Sequence, residues 1–198
     1  MTMIGVAGQA RFGKDIISDY LAPKLNFSRS AFAQGVKKIF CETFNVDMDF
    51  IERWKVIPEP PPGFDMPVRQ ALQFIGDGFR QIKKDVWVEA IFRHNPEDVI
   101  ISDVRYCNEL IAIKNKGGIN ILLWRPGYEN NDSNQSESQI RNLVDWFASK
   151  NIEGNVQNIS KESGPYGREF IDYFIINNGT LEDLYNKVGS IIVPHLLV

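Results

Sequence analysis

The sequence has little of several features that would otherwise define a function. It contains two cysteines, Cys41 and Cys107, whose spacing matches no metal-binding motif. We expect both to be reduced, structural thiols in a cytoplasmic protein. No apolar run approaches the length of a transmembrane helix, because the apolar C-terminal segment 191–198 is far too short. The sequence therefore predicts no membrane partner.

An excess of basic residues is also missing. The chain has 22 Lys and Arg residues against 25 Asp and Glu residues, which gives a net charge of -3. Without surplus cations to neutralise backbone phosphates, general nucleic-acid binding is not expected. The hydrophobic content of 43% and the length of 198 residues are typical of one globular domain with a full core. We therefore predict a single domain spanning residues 1–198.

The most informative segment follows a short apolar run at the start of the chain. Residues 3–7 lead into the spacing G-x-x-x-x-G-K, which is formed by Gly8, Gly13 and Lys14, and a helical pattern comes next. Glycines let successive backbone N–H groups face an anion, and the helix adds its positive end. The lysine supplies a charge to the outer phosphates. The segment predicts a phosphate-binding loop, and a glycine-rich turn without a ligand is the alternative.

Two carboxylates are candidate metal ligands. Asp15 stands where the motif ordinarily has Ser or Thr, whose hydroxyl binds magnesium, and a carboxylate can bind it directly or through water. Asp103 ends a run of β-branched residues that predicts a buried parallel strand, a suitable place for a magnesium-orienting carboxylate. Arg105 and Glu109 follow this strand, where ligands bind in open α/β sheets.

Apolar runs near residues 3, 28, 99, 120 and 172 alternate with helical patterns. This alternation predicts a three-layer α/β/α domain with a mostly parallel sheet of about five strands. Together with the phosphate-loop motif, it indicates a P-loop NTPase fold.

Four further segments have specific expectations. Helical spacing indicates one helix that begins at Asp65 and stops at Gly76, and another over 78–93. The proline-rich segment 57–63 is expected to be a linker, with a flap beside a site as the alternative. The polar segment 128–139 predicts a loop, which is either an exposed connection or a lid over a nucleotide.

A phosphate loop in a small α/β domain favours a small-molecule kinase, which needs cationic groups around the transferred phosphoryl group. Arginines stand in suitable segments, namely Arg11, Arg69, Arg105 and Arg125.

At this level of detail the chain resembles the bacteriophage-type deoxynucleoside monophosphate kinases of the P-loop nucleoside monophosphate kinase superfamily. The order and spacing of several short motifs carry the resemblance over most of the chain. These motifs are 8–15 (GQARFGKD), 32–37 (FAQGVK), 69–76 (RQALQFIG), 85–88 (DVWV), Asp103-Val104-Arg105 with Glu109, 125–127 (RPG), Ser136-Glu137 and 178–182 (NGTLE).

The resemblance implies transfer of the γ-phosphate of ATP to a deoxynucleoside 5′-monophosphate, with Mg2+ as cofactor, for DNA precursor synthesis. It also implies a bacteriophage origin and a host-cytoplasm location. An acceptor-binding insert is expected at approximately 45–95, and a lid-like loop at approximately 126–142. Other small-molecule kinases, such as dephospho-coenzyme A kinase, remain alternatives, as does a non-catalytic nucleotide-binding module. The sequence leaves base selectivity, ribose selectivity and homodimer formation open.

The matched positions carry the implied roles as follows. ATP phosphates, adenine and metal would be bound by Gly8, Gly13, Lys14, Asp15, Ile16, Arg125 and Asn178, with Asp15 and Asp103 as the metal ligands. The transfer itself would involve Lys14, Arg11, Asp103 and Arg105. The acceptor nucleotide would be bound by Arg69, Gln73, Trp87, Asp103, Arg105 and Glu109, and a buried core tryptophan is the alternative for Trp87.

Overall fold

The computed structural model describes residues 2–94, 98–128 and 135–196. The α-helices and strands in these ranges are β1 (Met3–Ala7), α1 (Lys14–Leu25), β2 (Ser28–Ser30), α2 (Ala33–Phe44), α3 (Met48–Trp54), α4 (Val68–Ile82), α5 (Val86–His94), β3 (Val99–Val104), α6 (Cys107–Asn115), β4 (Ile119–Trp124), α7 (Gln135–Ser149), β5 (Gly154–Asn155), β6 (Tyr173–Ile176), α8 (Leu181–Ile191) and α9 (Val193–Leu196). Two short 3-10 helices span Ile159–Lys161 and Arg168–Phe170.

The chain divides into two compact units. The first consists of Met1–Ala31 with Asn95–Val198, and the second of Phe32–His94. The predicted insert at approximately 45–95 falls almost entirely within the second unit, and its role in acceptor binding stays a prediction.

The first unit contains a six-stranded sheet in the order β2-β3-β1-β4-β6-β5. All neighbours are parallel except β5, which pairs antiparallel with β6. The predicted three-layer, mostly parallel architecture is confirmed. The strand that the sequence pattern did not indicate is β5, because two residues, Gly154 and Asn155, are too few to show an alternating pattern.

Helices cover both faces of this sheet. Successive side chains of a strand point to opposite faces, yet all five residues of β1 are buried. On either side of the sheet, α1 packs along β3 and β1, and α6 packs along β1 and β4. The central strand is therefore enclosed on both faces, as a βαβ topology requires.

A buried carboxylate joins elements at the amino-terminal edge of the sheet. Asp172 is 2% exposed and accepts hydrogen bonds from the Lys114 ammonium at 2.7 Å and the Asn120 N–H at 2.8 Å. The Gln157 side-chain amide donates to the same carboxylate at 2.8 Å. Buried charges are tolerated when they are paired and hydrogen-bonded in this way. The contact ties α6, β4 and the start of β6 together at the edge opposite the phosphate-loop motif.

The second unit consists of helices around an aromatic core. Phe40, Ile51 and Val68 form its fully buried centre, and the ring of Phe64 stacks on Phe40 with centroids 5.8 Å apart. The second of these helices, α3, lies in a stretch without a clear sequence pattern. It begins where the Asp47 carboxylate accepts from the Phe50 N–H at 2.7 Å, an N-cap that explains why the helix starts there.

Several predicted helix boundaries are wrong. The helix expected from Asp65 begins at Val68, and the helix expected over 78–93 is divided, because α4 ends at Ile82 and α5 begins at Val86. The helix expected to stop at Gly76 continues to Ile82, because the Gly76 carbonyl is packed inside the unit and accepts from the Trp87 indole N–H at 3.0 Å. Tertiary packing overrides the low helix propensity of glycine here. In the first unit, α7 already begins at Gln135, so the later part of the expected loop is helical. Residues 129–134 of that loop lie outside the described residues.

Close approach makes glycine necessary in the central strand. A Cβ at Gly5 would lie 2.4 Å from Asn120 Oδ1 and 2.6 Å from Ile113 Cδ1. By contrast, Gly78 of α4 has no neighbouring atom within 4 Å of the same position.

We expect Gly5→Ala to lower the free energy of unfolding by about 2 kcal/mol or more, because the methyl group forces the buried neighbours apart. Gly78→Ala serves as the matched control and should raise stability by up to about 1 kcal/mol, since alanine is the better helix former. Urea denaturation of both variants checks the difference. Stability of Gly5→Ala equal to that of the unsubstituted chain would contradict the packing described here.

Candidate functional site

The loop between β1 and α1 has a backbone path that depends on its two glycines. Gly8 and Gly13 have φ angles of 152° and 102°, which side chains other than glycine rarely allow. A Cβ at Gly8 would also lie 2.8 Å from the Leu123 carbonyl oxygen. The loop therefore lies directly against β4, and both glycines of the motif are required by its shape.

The loop ends at an uncapped helix. Gly13 is the N-cap of α1 and offers no side-chain hydrogen bond to the first turn. The N–H groups at the start of a helix lack partners within the helix and carry the positive end of its dipole. Such a terminus is a suitable binding site for a phosphate group.

The lysine of the motif lies inside the loop. Lys14 is 7% exposed, and its ammonium donates to the Gln9 carbonyl at 2.8 Å. The Ser18 hydroxyl donates to the carbonyl of Lys14 at 2.8 Å, one helical turn further on. A cation held across the loop by a neutral carbonyl can exchange that contact for a phosphate oxygen.

Arg11 stands out within the loop because its backbone is left-handed. Its φ angle is 67°, and the residue is exposed. For a residue with a Cβ this conformation costs about 1 kcal/mol or more. Strain of this kind is often kept where a side chain has a function.

Asp15 makes a contact that the sequence did not indicate. Its carboxylate accepts from the Arg29 guanidinium at 3.0 Å, and Arg29 also pairs with Asp19 one turn further along α1. The Asp15 side chain is 79% exposed, so the pair is weak and open to exchange. No sequence motif marks Arg29, because it lies on the three-residue strand β2.

Asp103 and Arg105 lie beside the loop at the same edge of the sheet. Asp103 is the residue before Val104, which pairs with Ala7, the last residue of β1. Adjacent parallel strands end at the same edge, so the half-buried Asp103 lies next to the start of the loop. The structure thus brings the predicted carboxylate and the phosphate-loop motif together.

Glu109 holds the turn that carries Arg105. It is 2% exposed, and its carboxylate accepts from the backbone N–H groups of Arg105 at 2.8 Å and Tyr106 at 3.1 Å. This is the N3 glutamate of a capping box. The contact that the structure shows for this predicted substrate ligand is therefore a structural one, and direct substrate binding by Glu109 stays a prediction.

The neighbouring thiol is not activated. Burial, followed by the negative charges of Glu169 and Glu109, raises the pKa of Cys107 above its ordinary value. Its Sγ donates to the Tyr166 carbonyl at 3.3 Å. A neutral, buried thiol is consistent with the structural role expected for Cys107.

The ends of β4 and β6 complete this edge. Arg125 follows β4, and its guanidinium carbon lies 3.8 Å from the centroid of the Tyr128 ring. Asn178 follows β6, and its side-chain oxygen accepts from the Lys187 ammonium at 2.9 Å. Asn177, which lies just before the motif 178–182 and belongs to none of the sequence motifs, donates to the Phe12 carbonyl of the loop at 3.0 Å. The signal that could have found it is its position directly after the last strand.

The remaining predicted residues lie in the second unit. Arg69 and Gln73 are one helical turn apart on α4, with Arg69 exposed and Gln73 half-buried. Trp87 is 4% exposed, and its ring lies 5.5 Å from that of Phe79. Its contacts are those of a core residue, and its role against an acceptor base stays a prediction.

The described residues lack two further features. Within residues 2–94, 98–128 and 135–196, no group of three or more His, Cys, Asp or Glu side chains is arranged to hold a metal ion. Over the same part of the chain, no helix has the length and apolar character needed to cross a membrane. The pair Asp15 and Asp103 as magnesium ligands stays a prediction.

Two solved structures show a weak overall similarity to the chain. Dephospho-CoA kinase from Campylobacter jejuni is 10% identical, with a TM-score of 0.45 over 98% of this chain and 97% of that one. A sugar kinase from a Janibacter species is 12% identical, with a TM-score of 0.41 over 99% of this chain and 98% of that one.

No protein-family model matches the chain. A curated protein of Acanthamoeba polyphaga mimivirus, named "Putative deoxynucleotide monophosphate kinase", is 26% identical over 209 residues, which cover 96% of this chain and 95% of that protein. The resemblance identified from the sequence motifs is confirmed by this similarity. The chain is thus similar over most of its length to a protein of that description, which supports a small-molecule kinase.

Proposed function

We propose that the protein transfers the γ-phosphate of ATP to a deoxynucleoside 5′-monophosphate and releases the diphosphate and ADP. The observation that carries this proposal is the loop from Gly8 to Gly13, with Lys14 buried inside it and Asp103 beside it. The similarity to the mimivirus protein supports the acceptor class. In this proposal the reaction supplies DNA precursors.

The loop and the start of α1 bind the phosphates of ATP. Backbone N–H groups from Gly13 to Ile16 contact phosphate oxygens, and Lys14 exchanges the Gln9 carbonyl for the outer phosphates. Arg125 and Asn178, at the ends of β4 and β6, lie on the same edge and bind the rest of the nucleotide.

The transferred phosphoryl group is stabilised by positive charge. Arg11 and Arg105 contact its equatorial oxygens, where negative charge accumulates in the transition state. The acceptor phosphate is already anionic near neutral pH, so this transfer requires little general-base chemistry. Arg69 binds the acceptor monophosphate, and Gln73 and Trp87 contribute to recognition of its nucleoside.

The residues present fit a magnesium ion. Carboxylate oxygens are the ligands that this ion prefers, and Asp103 lies beside the loop while Asp15 stands in the first turn of α1. Asp15 and Asp103 would hold the ion, whose chemistry is to neutralise charge on the phosphates. The proposal includes ATP-dependent activity in a host cytoplasm, and the bacteriophage origin that the resemblance implies stays a prediction.

The decisive experiment is a coupled ADP-release assay with ATP and magnesium. The acceptors are dAMP, dGMP, dCMP, dTMP, the four ribonucleotides and dephospho-coenzyme A. We expect turnover with one or more deoxynucleotides. Turnover with dephospho-coenzyme A alone would reject the proposed acceptor, and ATP binding without turnover on any acceptor would favour a non-catalytic nucleotide-binding module.

We expect Lys14→Ala to remove nearly all turnover while the fold is retained, because the buried ammonium lies inside the loop at the start of the helix that binds phosphate. The change should lower kcat/KM by at least about a hundredfold. Lys24→Ala, at the exposed end of the same helix, is the matched control and should keep activity. Circular dichroism of both variants checks the fold. Turnover of Lys14→Ala equal to that of Lys24→Ala would rule out the phosphate-loop mechanism.

We expect Arg11→Gly to separate stability from activity. Glycine relieves the left-handed strain at this position, so the free energy of unfolding should stay constant or rise by up to about 1 kcal/mol. Loss of the guanidinium should lower kcat at least about tenfold. Thermal unfolding and the ADP-release assay measure the two effects. Lys38→Gln, an exposed substitution on α2 outside the loop, controls for loss of one positive charge in the stability measurement. A clearly destabilised Arg11→Gly would contradict the strain argument.

A further inference from the structure

The side chain of Asn177 connects the end of β6 to the phosphate loop. Its Nδ2 donates to the Phe12 carbonyl at 3.0 Å, across 165 positions of sequence. Its backbone N–H donates to the Trp124 carbonyl at 2.7 Å. Asn177 is therefore anchored to β4 through its backbone while its amide group contacts the loop.

This hydrogen bond determines the direction in which one peptide group of the loop faces. In a trans peptide the C=O and the following N–H point in opposite directions, and no peptide bond of the described residues is cis. Because the Phe12 carbonyl points toward Asn177, the N–H of Gly13 points away from Asn177. A reversed peptide would turn a carbonyl, rather than an N–H, toward a bound phosphate.

The glycine at position 13 is also adapted to this contact. A Cβ there would lie 3.0 Å from Asn177 Nδ2, and the φ angle is 102°. The second glycine of the motif therefore has two reasons to be glycine, its left-handed backbone and the approach of the asparagine amide.

The turn that carries Asn177 is itself held in place. The Lys187 ammonium donates to the Ile176 carbonyl at 2.8 Å and to the Asn178 side-chain oxygen at 2.9 Å. Thr180 caps the next helix by accepting from the Asp183 N–H at 3.2 Å. Residues on both sides of Asn177 are fixed, so its amide is preorganised toward the loop.

We propose that Asn177 is a positioning residue for nucleotide binding. Its amide orients the Phe12–Gly13 peptide so that the Gly13 N–H is presented to the phosphates, and Asn177 itself does not contact the nucleotide. The inference rests on one part of the proposed function, namely that the loop binds a nucleoside triphosphate. It does not depend on which acceptor is phosphorylated.

Two variants remove the donor in different ways. Asn177→Ala deletes the amide, and Asn177→Asp keeps the shape but replaces the donor with a carboxylate that repels the Phe12 carbonyl. The matched control is Asn155→Asp, which introduces the same charge in β5. Asn155 pairs with Tyr173 at the start of β6, and its Oδ1 accepts from the Gln157 N–H at 3.1 Å, a contact that aspartate retains.

The experiment measures the Kd for ATP by calorimetry without acceptor. We expect Asn177→Ala to weaken binding about fivefold to tenfold, as the loss of one neutral hydrogen bond predicts. Asn177→Asp should weaken it further, by about thirtyfold or more, because a charge faces a carbonyl. The KM for the acceptor should stay constant in both variants, and Asn155→Asp should bind ATP normally.

A second measurement does not need nucleotide. Amide proton NMR of the ligand-free protein should show an altered environment for the Gly13 N–H in both Asn177 variants and an unchanged one in Asn155→Asp. Unchanged Kd and an unchanged Gly13 signal would overturn the inference. An equal loss of ATP and acceptor affinity would also overturn it, because it would indicate general damage.

These outcomes are distinct from failure of the proposed function. If the unsubstituted protein binds ATP but phosphorylates no deoxynucleotide, the acceptor proposal fails, and the role of Asn177 is still decided by the Kd series. If the unsubstituted protein does not bind ATP, the loop is not a phosphate site and both proposals are rejected.

Discussion

The backbone path between β1 and α1 is the constraint on which the rest of the candidate site depends. Two glycines in left-handed conformations let the chain pass against β4 and then enter a helix without a side-chain cap. The resulting helix terminus can bind an anion only if the loop N–H groups face it. Neighbouring strands of the sheet hold that path, which is why residues far apart in sequence meet at this edge.

Two polar side chains stabilise this edge through hydrogen bonds to the backbone. Glu109 accepts from two N–H groups of the turn after β3, and Asn177 donates to a carbonyl of the loop. Such groups would be costly if they were left without partners. Their effect on function is indirect, because they fix the places from which Arg105 and the loop amides can reach a ligand.

The residues that we propose to bind the nucleotide are charged, and one of them has a strained backbone. Lys14 is buried and donates to a neutral carbonyl. Arg11 has a left-handed backbone, which is strained for a residue that carries a Cβ. Asp15 is paired at the surface with Arg29, where the pair is readily exchanged. The arrangement is typical of a preorganised site, in which the protein pays the conformational cost before the ligand arrives.

The sequence alone determined the phosphate-loop motif, the alternation of strands and helices, and the carboxylate at the end of β3, because each depends on local spacing. The helix end expected at Gly76 was wrong, since packing rather than propensity decides it. The start of α7 at Gln135 falls within a segment whose polar composition indicated a loop. The tertiary structure alone decided the contacts of Asp15 with Arg29, of Glu109 with its turn, and of Asn177 with Phe12. Local sequence patterns do not predict which distant side chain completes a hydrogen bond. Strand order and register decide which residues far apart in the chain come close together.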